Sequence, residues 1–371
     1  MTILVLAITG CQALGPKQHK EQAQEYWSGV RARIKARLAQ QHLDAGRLDE
    51  AVTAADEARA LDPRLTSAYE VLAKANLELS RPATAMQAVD AAAALGPLSP
   101  KLHYLRGVIL EQRGDVEPAL VSYSTARRLD PIQVDYLTAE VECLVALDRA
   151  AEALARIDEG ADRFNESATI AALGGHVAAF LGDTEDALRR FRRAQAAAPQ
   201  STAIRRTLGL LLAAGGHCQE AVDMLTPMLD EAGGAAWQTA DTAATLDDPS
   251  GVVRRALGRC YLTLADPARA RDILIGYAAR NRDDLIAQVL LAKAALSTGD
   301  LFTAAAATQQ AWNARPDDVE VLLLRAAVQW QQGRLHDARA TLDELLTRAP
   351  DDRDAHRLLA AVGGDPGPAA R

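Results

Sequence analysis

Four pairs of adjacent carboxylates, Asp247-Asp248, Asp283-Asp284, Asp317-Asp318 and Asp351-Asp352, are the residues of this chain best spaced to do chemistry. Two carboxyl groups in one site can divide the work of general acid and general base when their surroundings separate their pKa values. The last two pairs, however, follow Pro316 and Pro350 directly. An acid just past a stop residue caps the next helix. Its oxygen accepts orphan backbone N–H groups, and its charge faces the positive end of the helix dipole. We therefore read these pairs as caps. His217-Cys218 offers two adjacent metal ligands, but a site needs further ligands that the sequence does not suggest. There is no C-x-x-C, G-x-x-x-x-G-K-[ST], G-x-S-x-G or H-E-x-x-H. Cys143 and Cys260 each follow a small-residue column by two positions and read as small core side chains. The expectation is a protein that is not an enzyme, without cofactor or metal.

Cys11 is a different kind of reactive residue. The apolar run Ile3–Ile8 leads into Ile8-Thr9-Gly10-Cys11, which resembles the cleavage box of a bacterial lipoprotein signal. That resemblance implies cleavage before Cys11, acylation of its residue, and a chain held at the cell envelope facing the periplasm. No Lys or Arg precedes the run. If Cys11 is not acylated, the alternative is a soluble cytoplasmic protein. No apolar run approaches the ~18 residues needed to cross a bilayer.

The elements that position these residues repeat. Pro63, Pro97 and Pro131 are 34 residues apart, Pro199 comes two such steps later, and Pro316 and Pro350 are again 34 apart. Other columns fall into register: Ala39, Ala73, Gly107, Gly175, Ala292 and Ala326; then Gly46, Ser80, Gly114, Gly182, Gly299 and Gly333; then alanines such as Ala51, Ala85, Ala119 and Ala187. A small residue midway along a first helix lets a second helix approach closely. Glycine just past that helix takes a left-handed turn at least cost, and proline stops the second helix. The period itself is that of a helix–turn–helix solenoid.

Phrases such as Gly107–Gly114–Ala119–Tyr123–Ala126–Pro131 and Gly175–Gly182–Ala187–Phe191–Ala194–Pro199 resemble the tetratricopeptide repeat (TPR) family. The resemblance implies an all-α fold, a right-handed α-solenoid of about nine stacked repeats with a C-terminal capping helix over Asp354–Val362. Residues 1–20 are expected to be signal and tether, 21–231 and 252–362 the two parts of the array, 232–251 an exposed insertion tolerated between repeats (the alternative being a functional loop at the groove mouth anchored by Trp237), and 363–371 a loose tail. Asn165 and Arg282 stand where a stop proline is expected, so those units should fray. Pro227 should interrupt the second helix of the sixth unit.

In this family the inner wall is made mainly by the first helices. That implies an inner stripe of Glu70, Lys74, Tyr104, Glu111, Glu142, His176, Arg206, Arg255, Arg259, Lys293, Leu323 and Trp330. The candidate partner-contacting residues are Lys74, Tyr104, His176, Arg206, Arg255, Arg259, Lys293 and Trp330. From Arg206 to Lys293 the stripe is basic, against a net charge of −8 for the whole chain. Clustered guanidinium groups bind carboxylates in pairs, so an acidic peptide is the partner this pattern favours. The acidic net charge gives no support to nucleic-acid binding. Expected function is a protein-interaction scaffold, with an accessory role in pilus, polysaccharide-export or outer-membrane assembly as the alternative. Oligomeric state is not read from the sequence.

Overall fold

The computed structural model describes residues 16–231 and 249–364. Cys11, Trp237, Asp247-Asp248 and the tail beyond residue 364 lie outside the described residues. Among the described residues there are helices and turns and no strand. The chain divides into two compact units, Met1–Glu166 and Ser167–Arg371.

The first unit holds four hairpins: α1 (Pro16–Asp44) with α2 (Leu48–Leu61), α3 (Thr66–Glu78) with α4 (Pro82–Ala93), α5 (Pro100–Gln112) with α6 (Val116–Leu129), and α7 (Val134–Ala146) with α8 (Ala150–Glu159). The second unit holds five: α9 (Ala168–Phe180) with α10 (Thr184–Ala197), α11 (Thr202–Ala214) with α12 (Cys218–Glu231), α13 (Pro249–Thr263) with α14 (Pro267–Arg280), α15 (Leu285–Thr298) with α16 (Leu301–Ala314), and α17 (Val319–Gln331) with α18 (Leu335–Arg348). A last helix, α19 (Arg353–Gly364), covers the end. Ala355 and Val362 are buried in the cluster of Leu322, Leu342 and Leu345, with Leu358 and Leu359 packed beside it. Among the described residues, four hairpins in the first unit, five in the second and a terminal helix match the expected stacked-hairpin architecture.

Each first helix ends in the left-handed turn that the glycine column requires. Gly46, Gly114, Gly182, Gly216, Gly299 and Gly333 have φ between 71° and 83°. The next residue's N–H reaches back five positions, as Asp115 N to Leu110 O at 2.9 Å and Asp300 N to Ala295 O at 2.9 Å, which satisfies carbonyls the helix end would orphan. Ser80, Asp148 and Ala265 hold the same turn at φ 56–59° without being glycine.

Hairpins close by notch and knob. A Cβ added to Gly107 would lie 2.4 Å from the Tyr123 ring, one on Gly175 2.5 Å from Phe191, and one on Gly209 2.5 Å from Leu225. The second helices present fully buried alanines at one column, among them Ala51, Ala85, Ala119, Ala187, Ala221, Ala270, Ala304 and Ala338. In the first unit, the buried carboxylate of Glu140 on α7 pairs with Arg127 of the preceding hairpin and lies 3.5 Å from Arg156 of its own.

Three boundaries differ from expectation. The first helix begins at Pro16, inside the segment assigned to the tether. Pro227 does not interrupt its helix: α12 runs through it to Glu231. Leu225 is fully buried, and Met224, Met228 and Leu229 pack on the same core on both sides of the proline, so burial holds the turn that the missing N–H weakens. Of the two units lacking a stop proline, the one at Asn165 loosens, with α8 ending at Glu159 and turns following. The one at Arg282 does not. There the buried Gln288 of the next helix donates to the Ala278 carbonyl at 2.8 Å and ties the end of α14.

Candidate binding surface

The basic stripe of the second unit is built on α11, α13 and α15, and the structure divides its cations into two sets. Arg255 is half-buried and pairs with Asp284; Tyr277 donates to the same carboxylate oxygen at 2.8 Å. The other oxygen of Asp284 accepts the Ala287 N–H at 3.1 Å and caps α15. Lys293 pairs with Glu320 at the start of α17. Arg206 and Arg259 have no ion pair among the described residues.

Arg259 and Lys293 come together at one cleft of about 340 Å³. Leu285, Ile286, Val289 and Leu290 of α15 give it an apolar floor, and Asp318 and Glu320 close the far side. Ile286 is half exposed there. The cleft therefore sets the Arg259 guanidinium, which has no ion pair among the described residues, beside an apolar floor and the Asp318 and Glu320 carboxylates.

Two other stripe residues of this unit serve packing. The exposed His176 ring meets Phe191 edge-on at 4.9 Å, above the notch of Gly175. Trp330 is partly buried against the core under α19, and its indole N–H has no hydrogen-bond partner among the described residues.

In the first unit, Tyr104 stands between Tyr123 at 5.5 Å and Tyr136 at 5.2 Å, ring centre to ring centre. Tyr123 donates to Glu111 at 2.7 Å. Burial, then the nearby Asp135, Glu142 and Glu111 charges, holds the Tyr104 phenol above its ordinary pKa. Burial and Glu111 likewise raise Glu142 above the usual carboxylate range. Glu70 accepts a hydrogen bond from Ser99 at 2.7 Å, and Lys74 lies 3.9 Å from Glu78. This face is acidic and aromatic.

The carboxylate pairs act at helix starts. Asp318 accepts from Glu320 N at 2.9 Å and Val321 N at 3.2 Å, and Asp352 accepts from Ala355 N at 2.8 Å. Asp317 turns away to pair with Arg348. Around His217 and Cys218, as elsewhere among the described residues, no three His, Cys, Asp or Glu side chains gather into a metal site. Cys143, Cys218 and Cys260 are free and buried. Burial pushes the Cys143 thiol up to about 11 and the Cys260 thiol, hydrogen-bonded to Cys218, up to about 12.

Sequence reasoning missed the neutralising partners of the stripe and the apolar floor. Asp284 follows Arg255 by 29 residues and Glu320 follows Lys293 by 27, just short of one period. An acid at a helix start, one repeat after a cation, was the available signal. Tyr136 was missed because it lies two positions before the place that continues the column of Glu70 and Tyr104.

Family models described as tetratricopeptide repeat match residues 36–100, 73–133 and 172–236, and residues 295–362, together more than half of the chain. Among solved structures, pilF of Pseudomonas aeruginosa is 15% identical over 57% of this chain and 96% of its own, with a TM-score of 0.49. PilW, described as a widely conserved type IV pilus biogenesis factor, is 17% identical over 57% of this chain and 95% of its own, with a TM-score of 0.48. A tetratricopeptide repeat protein from Parabacteroides merdae ATCC 43184 is 15% identical over 71% of this chain and 99% of its own, with a TM-score of 0.45. No curated protein matches the chain.

Proposed function

The chain belongs to the tetratricopeptide repeat family, and from that premise we propose that it is a non-catalytic scaffold that takes an acidic peptide segment of a partner protein into the cleft of Arg259 and Lys293. Proteins of this family are generally protein-interaction scaffolds that bind protein or peptide partners. The observation that carries the finer reading is the Arg259 guanidinium, exposed and without an acidic partner among the described residues, above the apolar floor of Ile286 and Val289. A peptide carrying Asp or Glu beside an apolar residue would complete both. Its carboxylate would make a charge-assisted pair with Arg259 while its apolar side chain covers the floor.

A random-peptide display library panned on the wild-type protein tests this. The enriched sequences should carry an acid next to an apolar residue and should bind Arg259→Glu at least ~tenfold more weakly, the loss of one charge-assisted hydrogen bond. Enrichment of basic sequences, or equal binding to the variant, refutes it.

The same reading places the scaffold at the cell envelope through acylated Cys11, supported by the Ile8-Thr9-Gly10-Cys11 box. More than one acyl chain on that residue would give stable anchoring where a single chain is marginal. Labelled palmitate should enter the wild type and not Cys11→Ser; no incorporation into the wild type ends that part of the reading.

A further inference from the structure

Helix α1 carries two apolar stripes on opposite sides. Ala32, Ala36, Ala39 and Leu43 are buried against the rest of the first unit. At 100° per residue, Trp27, Val30, Ile34 and Leu38 fall on the far side of the helix. Trp27 and Ile34 are each 62% exposed, and Tyr26 beside them 63%. The inner stripe is mostly alanine and the outer one is large and aromatic, the reverse of what a helix needing only internal packing would carry.

The charges around the outer stripe have one sign. Lys20 and Arg31 flank it on one edge and Arg33 and Arg37 on the other; all four are exposed, and none makes an ion pair among the described residues. Lys35, by contrast, turns inward to pair with Glu57 at 2.6 Å. The helix has six Lys and Arg against three Asp and Glu, in a chain whose net charge is −8.

From this arrangement we infer that the outer face of α1 docks on an anionic lipid surface, laying Trp27, Ile34 and Leu38 into the headgroup boundary with the four cations among the lipid phosphates. An interfacial helix has this composition: basic residues bordering an apolar stripe, with Trp and Tyr at the level of the headgroups. No described helix is long and apolar enough to cross a membrane, so the contact is with the surface. A second copy of the chain suits the face poorly. Pairing two such stripes would set cationic edges against cationic edges, which is destabilising. The inference is independent of Cys11 acylation, because the stripe and its charges lie within α1.

The test uses the full chain with Cys11→Ser, so that no acyl chain contributes. Co-sedimentation is measured with vesicles of equal parts phosphatidylglycerol and phosphatidylcholine, and with phosphatidylcholine alone, at physiological ionic strength. Binding should be confined to the anionic vesicles. Arg31→Gln with Arg37→Gln should weaken it roughly thirtyfold, at about one kcal/mol per cation near the surface. Trp27→Ser/Ile34→Ser/Leu38→Ser should abolish it, with an unchanged far-UV circular dichroism spectrum because all three side chains are exposed. Absent binding, equal binding to neutral vesicles, or binding untouched by the triple change overturns the proposal. So does a wild-type dimer in sedimentation equilibrium that the triple change dissolves while no vesicle binding is found, since the second copy would then be the occupant.

Discussion

Replacing Gly175 by alanine puts the notch-and-knob packing to a direct test. The added Cβ would lie 2.5 Å from Phe191 Cδ2, 2.6 Å from Cε2 and 3.1 Å from Cγ, distances that van der Waals radii forbid. Phe191 is 1% exposed and its ring already meets His176, so it has little room to give way. Overpacking of this kind costs about 1–3 kcal/mol. Against that stands the helix-propensity gain of glycine to alanine, about 0.5–1 kcal/mol. The net expectation is a loss of about 1–2 kcal/mol, or a fall in Tm of roughly 2–8 °C for a unit of this size, read by circular dichroism at the helical band. Gly276, also helical but with nothing within 4 Å of an added Cβ, is the control. Gly276→Ala should stabilise by about 0.5–1 kcal/mol, because only the propensity gain applies. A second change isolates the contact: Phe191→Leu in the Gly175→Ala background recreates the pairing of Ala326 with Leu342 that occupies the same two columns in α17 and α18. The double variant should lose less than the sum of the singles by at least ~0.5 kcal/mol. If Gly175→Ala stabilises as much as Gly276→Ala does, the close approach of these helices is wrong.

Two further outcomes follow from features of the same hairpins. Ala265 holds a left-handed turn at φ 56° where other repeats have glycine. Ala265→Gly should raise stability by about 1 kcal/mol in urea denaturation, since a Cβ is penalised in that region. The buried thiols give a pH dependence. Cys260, raised from an ordinary value of 9.0 to about 12, keeps its proton in the native state where the unfolded chain has lost it. Its contribution to stability is therefore complete below about pH 9 and is lost as pH climbs toward 12, and Cys143 behaves likewise up to about 11. Native protein at pH 8 should resist iodoacetamide at both thiols by mass spectrometry, and unfolded protein should not.

Much of the fold was legible because stacking a hairpin constrains residue size at fixed places. The glycine column predicted the left-handed turns, and the proline column the ends of second helices. Pro227 was misread because a local rule lost to burial: Leu225 and its neighbours hold the helix through the defect. Arg282 was misread for a similar reason, since Gln288 supplies from the next helix the stop that no proline gives. The surface was harder to read. A stripe taken one helix at a time counted Arg255 and Lys293 as free cations, whereas Asp284 and Glu320 reach them from the following repeat. Charge on such a wall is a property of two successive hairpins, and single-helix periodicity does not contain it.

Asp284 divides its two oxygens between unlike tasks, one holding the start of α15 and the other receiving Arg255 and Tyr277. Loss of the Arg255 pair would leave both the Tyr277 hydrogen bond and the backbone anchor at Ala287 in place. The start of α15 therefore does not depend on the cation that reaches it from the preceding repeat.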